Sequence, residues 1–177
     1  MKTISASVMV LTFFALAFAC SKESASPSAA QTNGINLAGA TGSSKSWKLT
    51  SVSYTVNGGL AQSLTLDPCV LDNEYKFTNN STQDFIQTEG TVKCNSGDST
   101  VMESGNWAFT NDGKNIVVEG QWFDDLSQEP AYQYIFTALG EEANVSQLTA
   151  TTFVVSYSFT SSTSGAKYIV TATFTKV

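Results

Sequence analysis

The chain has 177 residues, with 9 lysines against 15 acidic residues for a net charge of −6, and contains neither arginine nor histidine. A chain this acidic offers no patch to neutralise phosphates, which argues against nucleic acid as a partner. It also lacks the commonest general base and transition-metal ligand. Carboxylate or serine–lysine chemistry remains formally open, but no residue pattern singles out a catalytic site, a metal site or a cofactor, and the chain reads as a non-enzyme.

Residues 1–19 have the form of an export signal: a positive start at Met1-Lys2, then the apolar run Val8 to Ala19. That run is about a dozen residues, short of the roughly 20 a membrane-spanning helix needs. Small Ala17 and Ala19 flank Phe18 just before Cys20. The junction resembles a bacterial lipoprotein signal, and a free thiol exposed here is a liability in an oxidising compartment, so lipidation of Cys20 is the preferred reading, and ordinary secretion the other. By resemblance to proteobacterial sorting rules, the non-acidic Ser21 after the cysteine implies retention in the outer membrane, on its periplasmic face or at the cell surface.

Residues 20–44 are rich in Ser, Ala, Gly and Thr and have few large apolar side chains, so they read as the lipidated cysteine and a flexible stalk. From Ser46 the pattern alternates with a period of two, which marks strands. Strands are expected at 46–54, 72–78, 83–92, 103–110, 114–121, 131–137, 152–160 and 166–175. Turns are expected at Asn57-Gly58-Gly59, Asn79-Asn80-Ser81, Asn111-Asp112-Gly113-Lys114, the polar connection Glu141-Glu142-Ala143-Asn144, and Ser161 to Gly165. Leu60 to Leu66 is the one segment expected to form a helical turn. Consecutive hairpins favour an all-β, eight-stranded up-and-down barrel over 45–177, with a seven- or eight-stranded sandwich as the alternative. Three cysteines leave one over. With Cys20 acylated, Cys69 and Cys94 remain as a pair for a disulfide, and two buried free thiols are the other possibility.

The order Trp47-Lys48-Leu49, Cys69, Asn73-Glu74-Tyr75-Lys76-Phe77, Cys94, Ser104-Gly105-Asn106-Trp107, Asn111-Asp112-Gly113-Lys114 and Leu148 to Val155 resembles the lipocalin-like domains carried by Bacteroidetes lipoproteins. The resemblance covers Lys45 to Val177 and implies a lipocalin-like barrel held at a membrane by its N-terminal lipid. The chain departs from true lipocalins in having Lys45 where they place glycine, and in lacking the arginine that packs on the first-strand tryptophan.

The inward rows, from Trp47 and Tyr75 through Trp107 and Phe109 to Phe153, Tyr168 and Phe174, are aromatic and read as free of charge. A barrel of eight strands has an interior that side chains fill or that holds one small ligand. If a cavity exists, it takes a neutral apolar or amphipathic molecule, with Trp107, Trp122, Phe123, Tyr134 and Tyr157 as candidate contacts. If the core is filled, the protein is a surface-interaction or structural lipoprotein that meets glycan or protein through its loops. Trp122-Phe123-Asp124-Asp125 is the best surface candidate, although Trp122 is in phase with Ile116 and Val118 and also fits the core. Asp98-Ser99-Thr100 matches a short O-glycosylation pattern at Ser99. The acidic residues Asp124, Asp125 and Glu129 lack the regular spacing of a calcium loop and read as a solvated face. A monomer is expected.

Overall fold

In the computed structural model, residues 26–123, 135–136 and 142–177 are described. Alternation of large apolar with small polar side chains builds nine antiparallel strands: β1 (Ser44–Val56), β2 (Gln62–Ser63), β3 (Glu74–Thr78), β4 (Asp84–Thr88), β5 (Val101–Phe109), β6 (Asn115–Trp122), β7 (Glu142–Leu148), β8 (Thr152–Thr160) and β9 (Lys167–Lys176). From β3 to β9 each strand pairs with the next, and β1 pairs with both β3 and β9. The last contact runs from Trp47 opposite Lys176 to Val56 opposite Tyr168, with a register shift between Leu49 and Ser51. Eight strands therefore close an up-and-down barrel with no free edge, and the sandwich alternative is discarded. The two-residue β2 hangs on the outside of this circuit at Ser53 and Tyr54.

Three expectations need correction. The barrel strand between β6 and β8 is β7, formed where a polar connection was expected. Its inward row holds only Ala143, Val145 and, past a register shift between Val145 and Gln147, Leu148, so neither bulk nor strict period two marks it. Of the segment 131–137, only Ile135 and Phe136 are described, and these two form no strand. Leu60 to Leu66 is not helical; the helical turn is α2 (Pro68–Leu71), one step later, where Pro68 stands at the first turn and costs no hydrogen bond.

The third correction lies inside the expected stalk. Residues Ala29–Ala38 form α1, opened by a full capping box in which Ser28 and Gln31 exchange side-chain and backbone hydrogen bonds. The helix lies across one end of the barrel. Leu37 and Ala38 are buried there, and the carbonyl of Leu37 accepts the indole N–H of Trp47 at 2.9 Å. A helix carbonyl thus satisfies the first-strand tryptophan in a chain without arginine. Gly34 sits mid-helix over the ring of Trp107, which would lie in ordinary van der Waals contact, 3.4 Å, with a Cβ there. Lys45 Nζ donates to the carbonyls of Ile35 and Asn36 at the helix C-terminus, and burial, helped by Lys176, lowers its pKa.

The two ends of the barrel are unlike. The α1 end carries the short β3–β4 and β5–β6 hairpins and the β7–β8 turn, while the long connections β1–β3, β4–β5 and β6–β7 emerge at the other. Cys69 and Cys94 form a disulfide across two of those long connections, with Cα atoms 5.2 Å apart.

Candidate functional site

The aromatic rows converge on one interior. Phe136 is 2 % exposed and occupies its centre. Its ring stacks on Phe153 and Phe174, with centroids 6.0 and 5.4 Å away, and takes the edges of Tyr75, Phe77 and Phe85 at 6.1, 5.6 and 5.7 Å. These partners come from β3, β4, β8 and β9. A side chain from the β6–β7 connection thus fills the space that a ligand would need at this level of the barrel. Trp107, a candidate ligand contact, belongs to the same packing: it is buried, lies edge-on to Phe77, and donates its indole N–H to the Thr78 carbonyl.

Below this layer the interior becomes polar, which corrects the expectation of a charge-free lining. Glu103 shares the inward phase with Gly105 and Trp107 and is completely buried. It faces Gln87 on β4 and Trp122 on β6. Its carboxylate fits because Gly120 has no side chain; a Cβ on Gly120 would lie 2.3 Å from Glu103 Oε1. Gln87 is also buried, and its side-chain amide donates to the Met102 sulfur at 3.6 Å. Tyr157 points into the same region and is 3 % exposed. Its hydroxyl has no hydrogen-bond partner among the described residues. Burial pushes its pKa well above the ordinary tyrosine value, and the nearby Glu103 carboxylate and Tyr75 push the same way.

At the mouth opposite α1 the inward rows end in half-exposed rings. Phe159 stacks flat on Tyr168, with centroids 5.2 Å apart and planes 7° apart, and Tyr168 adjoins Tyr54 at 6.5 Å. Tyr54 is held from outside by a hydrogen bond to Gln62 on β2. Trp122 and Phe123 end β6 on the same rim, 39 % and 51 % exposed. The four described candidate contact residues therefore do not form one pocket. Trp107 packs in the core, Tyr157 lies in the polar layer, Trp122 and Phe123 are on the rim, and Tyr134 is outside the described residues. Cys20 and the acidic residues Asp124, Asp125 and Glu129 are outside them too. Ser99 is half-buried on the β4–β5 connection, beside Asp98, whose carboxylate accepts the backbone N–H of Asn95.

The rim aromatics Tyr54, Phe159 and Tyr168 were missed in the sequence as a group. Only the register of β1 and β8 against β9 brings them together. Buried Glu103 was legible in principle, since it stands four residues before Trp107 on the same strand face.

These features define the class of the molecule: an antiparallel up-and-down barrel of eight strands, closed at one end by a helix and ringed with aromatics at the other. Neither a family model nor a curated protein matches the chain. Among solved structures it is similar to a tryptophan-to-alanine mutant of transferrin binding protein B from Haemophilus parasuis Hp5, with 9 % identity, 77 % of this chain covered and a TM-score of 0.37. It is similar also to the isotype 1 transferrin binding protein B from serogroup B Neisseria meningitidis, with 14 % identity, 80 % covered and a TM-score of 0.37. The match spans about a quarter (26 %) of the length of each of those chains.

Proposed function

We propose that the protein is a lipid-anchored, non-catalytic binding protein of the cell envelope, in which a solid barrel presents its aromatic rim to a glycan or protein. The observation that carries this reading is Phe136 inside the barrel, packed against five aromatic rings. An interior filled in this way favours a scaffold over a carrier of apolar molecules. The direction of the tether agrees. The chain enters the barrel through Ser28 and α1, so an anchor on Cys20 attaches at the helix-capped end and leaves the rim facing away from the bilayer. Half-exposed rings held on a rigid sheet suit contact with an apolar sugar face or a protein surface, because they lose little freedom on binding.

The test is a glycan array, together with a pull-down from envelope extract, comparing the wild type with the Trp122→Ala/Phe123→Ala double variant. Phe123 is 51 % and Trp122 39 % exposed, so the variant stays folded with a moderate fall in melting temperature from the area the indole buries, while binding falls by at least about tenfold. A large drop in melting temperature would assign these residues to the core. Unchanged binding would move the contact surface elsewhere.

A further inference from the structure

At the opposite end, a groove of about 560 Å³ runs between α1 and the β3–β4 and β5–β6 hairpins. Every described residue lining it is uncharged, in a chain where 14 % of residues are charged. Its apolar surface includes Ile35, which is 48 % exposed, and the half-buried ring of Phe109. Its polar groups are the side chains of Gln31, Thr41, Asn79 and Gln83. Part of their hydrogen-bonding capacity is already used. Gln31 Oε1 accepts the Ser28 N–H, and Asn79 Nδ2 donates to the Gly39 carbonyl. This leaves donors on Gln31, an acceptor on Asn79, and both kinds on Thr41 and Gln83.

Gln83 is the unusual member. Its φ is +52°, in the left-handed region that favours glycine or asparagine. The backbone explains the conformation but not the residue. Its N–H donates to the Asn80 carbonyl, so a turn is followed by a left-handed residue before β4 begins, a hairpin position that glycine normally occupies. Among the described residues no hydrogen bond holds the Gln83 side-chain amide, which lines the groove. Strained residues gather where a side chain has a task outside folding.

We propose that this groove binds a neutral saccharide of one to three rings, with Phe109 and Ile35 under an apolar sugar face and the Gln83 amide paired to its hydroxyls. Sugar hydroxyls both donate and accept, which matches the mixture left unspent on Gln31, Asn79, Thr41 and Gln83. The absence of charge disfavours acidic or basic ligands, whose ionised groups would lose water without gaining a partner. An extended peptide fits poorly, because strand addition needs a free sheet edge and the β1–β9 pairing leaves the barrel none. The site is separate from the aromatic rim and stands or falls independently of it.

The test is calorimetric titration of the folded protein with triacetylchitotriose and with maltotriose, and with neutral trialanine amide as the competing class. One of the two sugars binds saturably at one site. Gln83→Gly weakens that binding at least about tenfold while leaving the melting temperature unchanged or raising it by roughly 2 °C, since glycine removes the backbone strain. Gln83→Asn, which tolerates the same backbone and keeps a shorter amide, gives an intermediate affinity. Any of three results overturns the proposal: neither sugar saturates up to roughly 10 mM; trialanine amide alone binds; or Gln83→Gly lowers the melting temperature and leaves sugar binding intact.

Discussion

Truncating Phe136 to alanine removes the ring at the centre of the aromatic cluster. The loss has two parts, the transfer of the ring's apolar surface and the cavity left where the surroundings cannot collapse. Collapse is hard here, because the five rings around Phe136 sit on four strands of a closed barrel whose separations are fixed by backbone pairing. The cost therefore belongs near the middle of the range for buried Phe→Ala, about 4 kcal/mol. At roughly 2–4 °C per kcal/mol for a chain of this size, the melting temperature falls by about 8–16 °C. Urea unfolding followed by near-ultraviolet circular dichroism measures this directly, with the slope against urea unchanged if only the native state is affected. Phe136→Leu, which keeps most of the volume, costs about 1–1.5 kcal/mol. A Phe136→Ala variant that loses less than about 1 kcal/mol would show that this ring is not part of the core, and the solid-barrel reading would go with it.

Replacing both Cys69 and Cys94 by serine frees a loop of 25 residues and costs about 3 kcal/mol in the chain-entropy model; chemical unfolding of oxidised and double-serine protein measures the difference, and equal stability would refute it. Tyr157 gives a pH signature. Its folded pKa lies well above the ordinary value of 10.0, so its contribution is complete below pH 10 and is lost above it, as the unfolded chain ionises while the native tyrosine stays protonated. Tyr157→Phe therefore flattens the alkaline fall in stability, and at neutral pH it costs little, since the hydroxyl has no partner among the described residues to lose. Urea midpoints on either side of pH 10 test both statements, and an unchanged alkaline slope contradicts the first.

Most of the barrel was legible in the sequence, because seven of its eight strands carry an inward residue large enough to show the period. Phe153, Val155 and Tyr157 against Phe174, Ala172 and Val170 are the clearest case, and β8 and β9 lie within one residue of expectation. The failures share a cause. β7 has a small, interrupted inward row, whereas Tyr132, Tyr134 and Phe136 alternate as a strand would. Phe136 in fact enters the core from a connection, which local pattern cannot reveal. Helix α1 was hidden by its small residues, although Ser28 and Gln31 spell the capping box that opens it. The charge-free interior was read from aromatic positions alone, and Glu103 was overlooked though it lies in phase with Trp107. The rim and the α1 groove exist only in three dimensions: they are assembled from distant segments, and apart from Trp122 and Phe123 no local motif marks their members.

The central claim, a barrel whose interior is filled by its own aromatics, is tested most directly by titrating the wild-type protein with a fluorescent fatty-acid probe beside the Phe136→Ala variant. The account predicts no saturable binding of the probe to either protein, and saturable binding of benzene to the variant alone, whose cavity is the size of one ring. Saturable one-site binding to the wild type, displaced by an unlabelled fatty acid, would contradict it and restore the carrier reading.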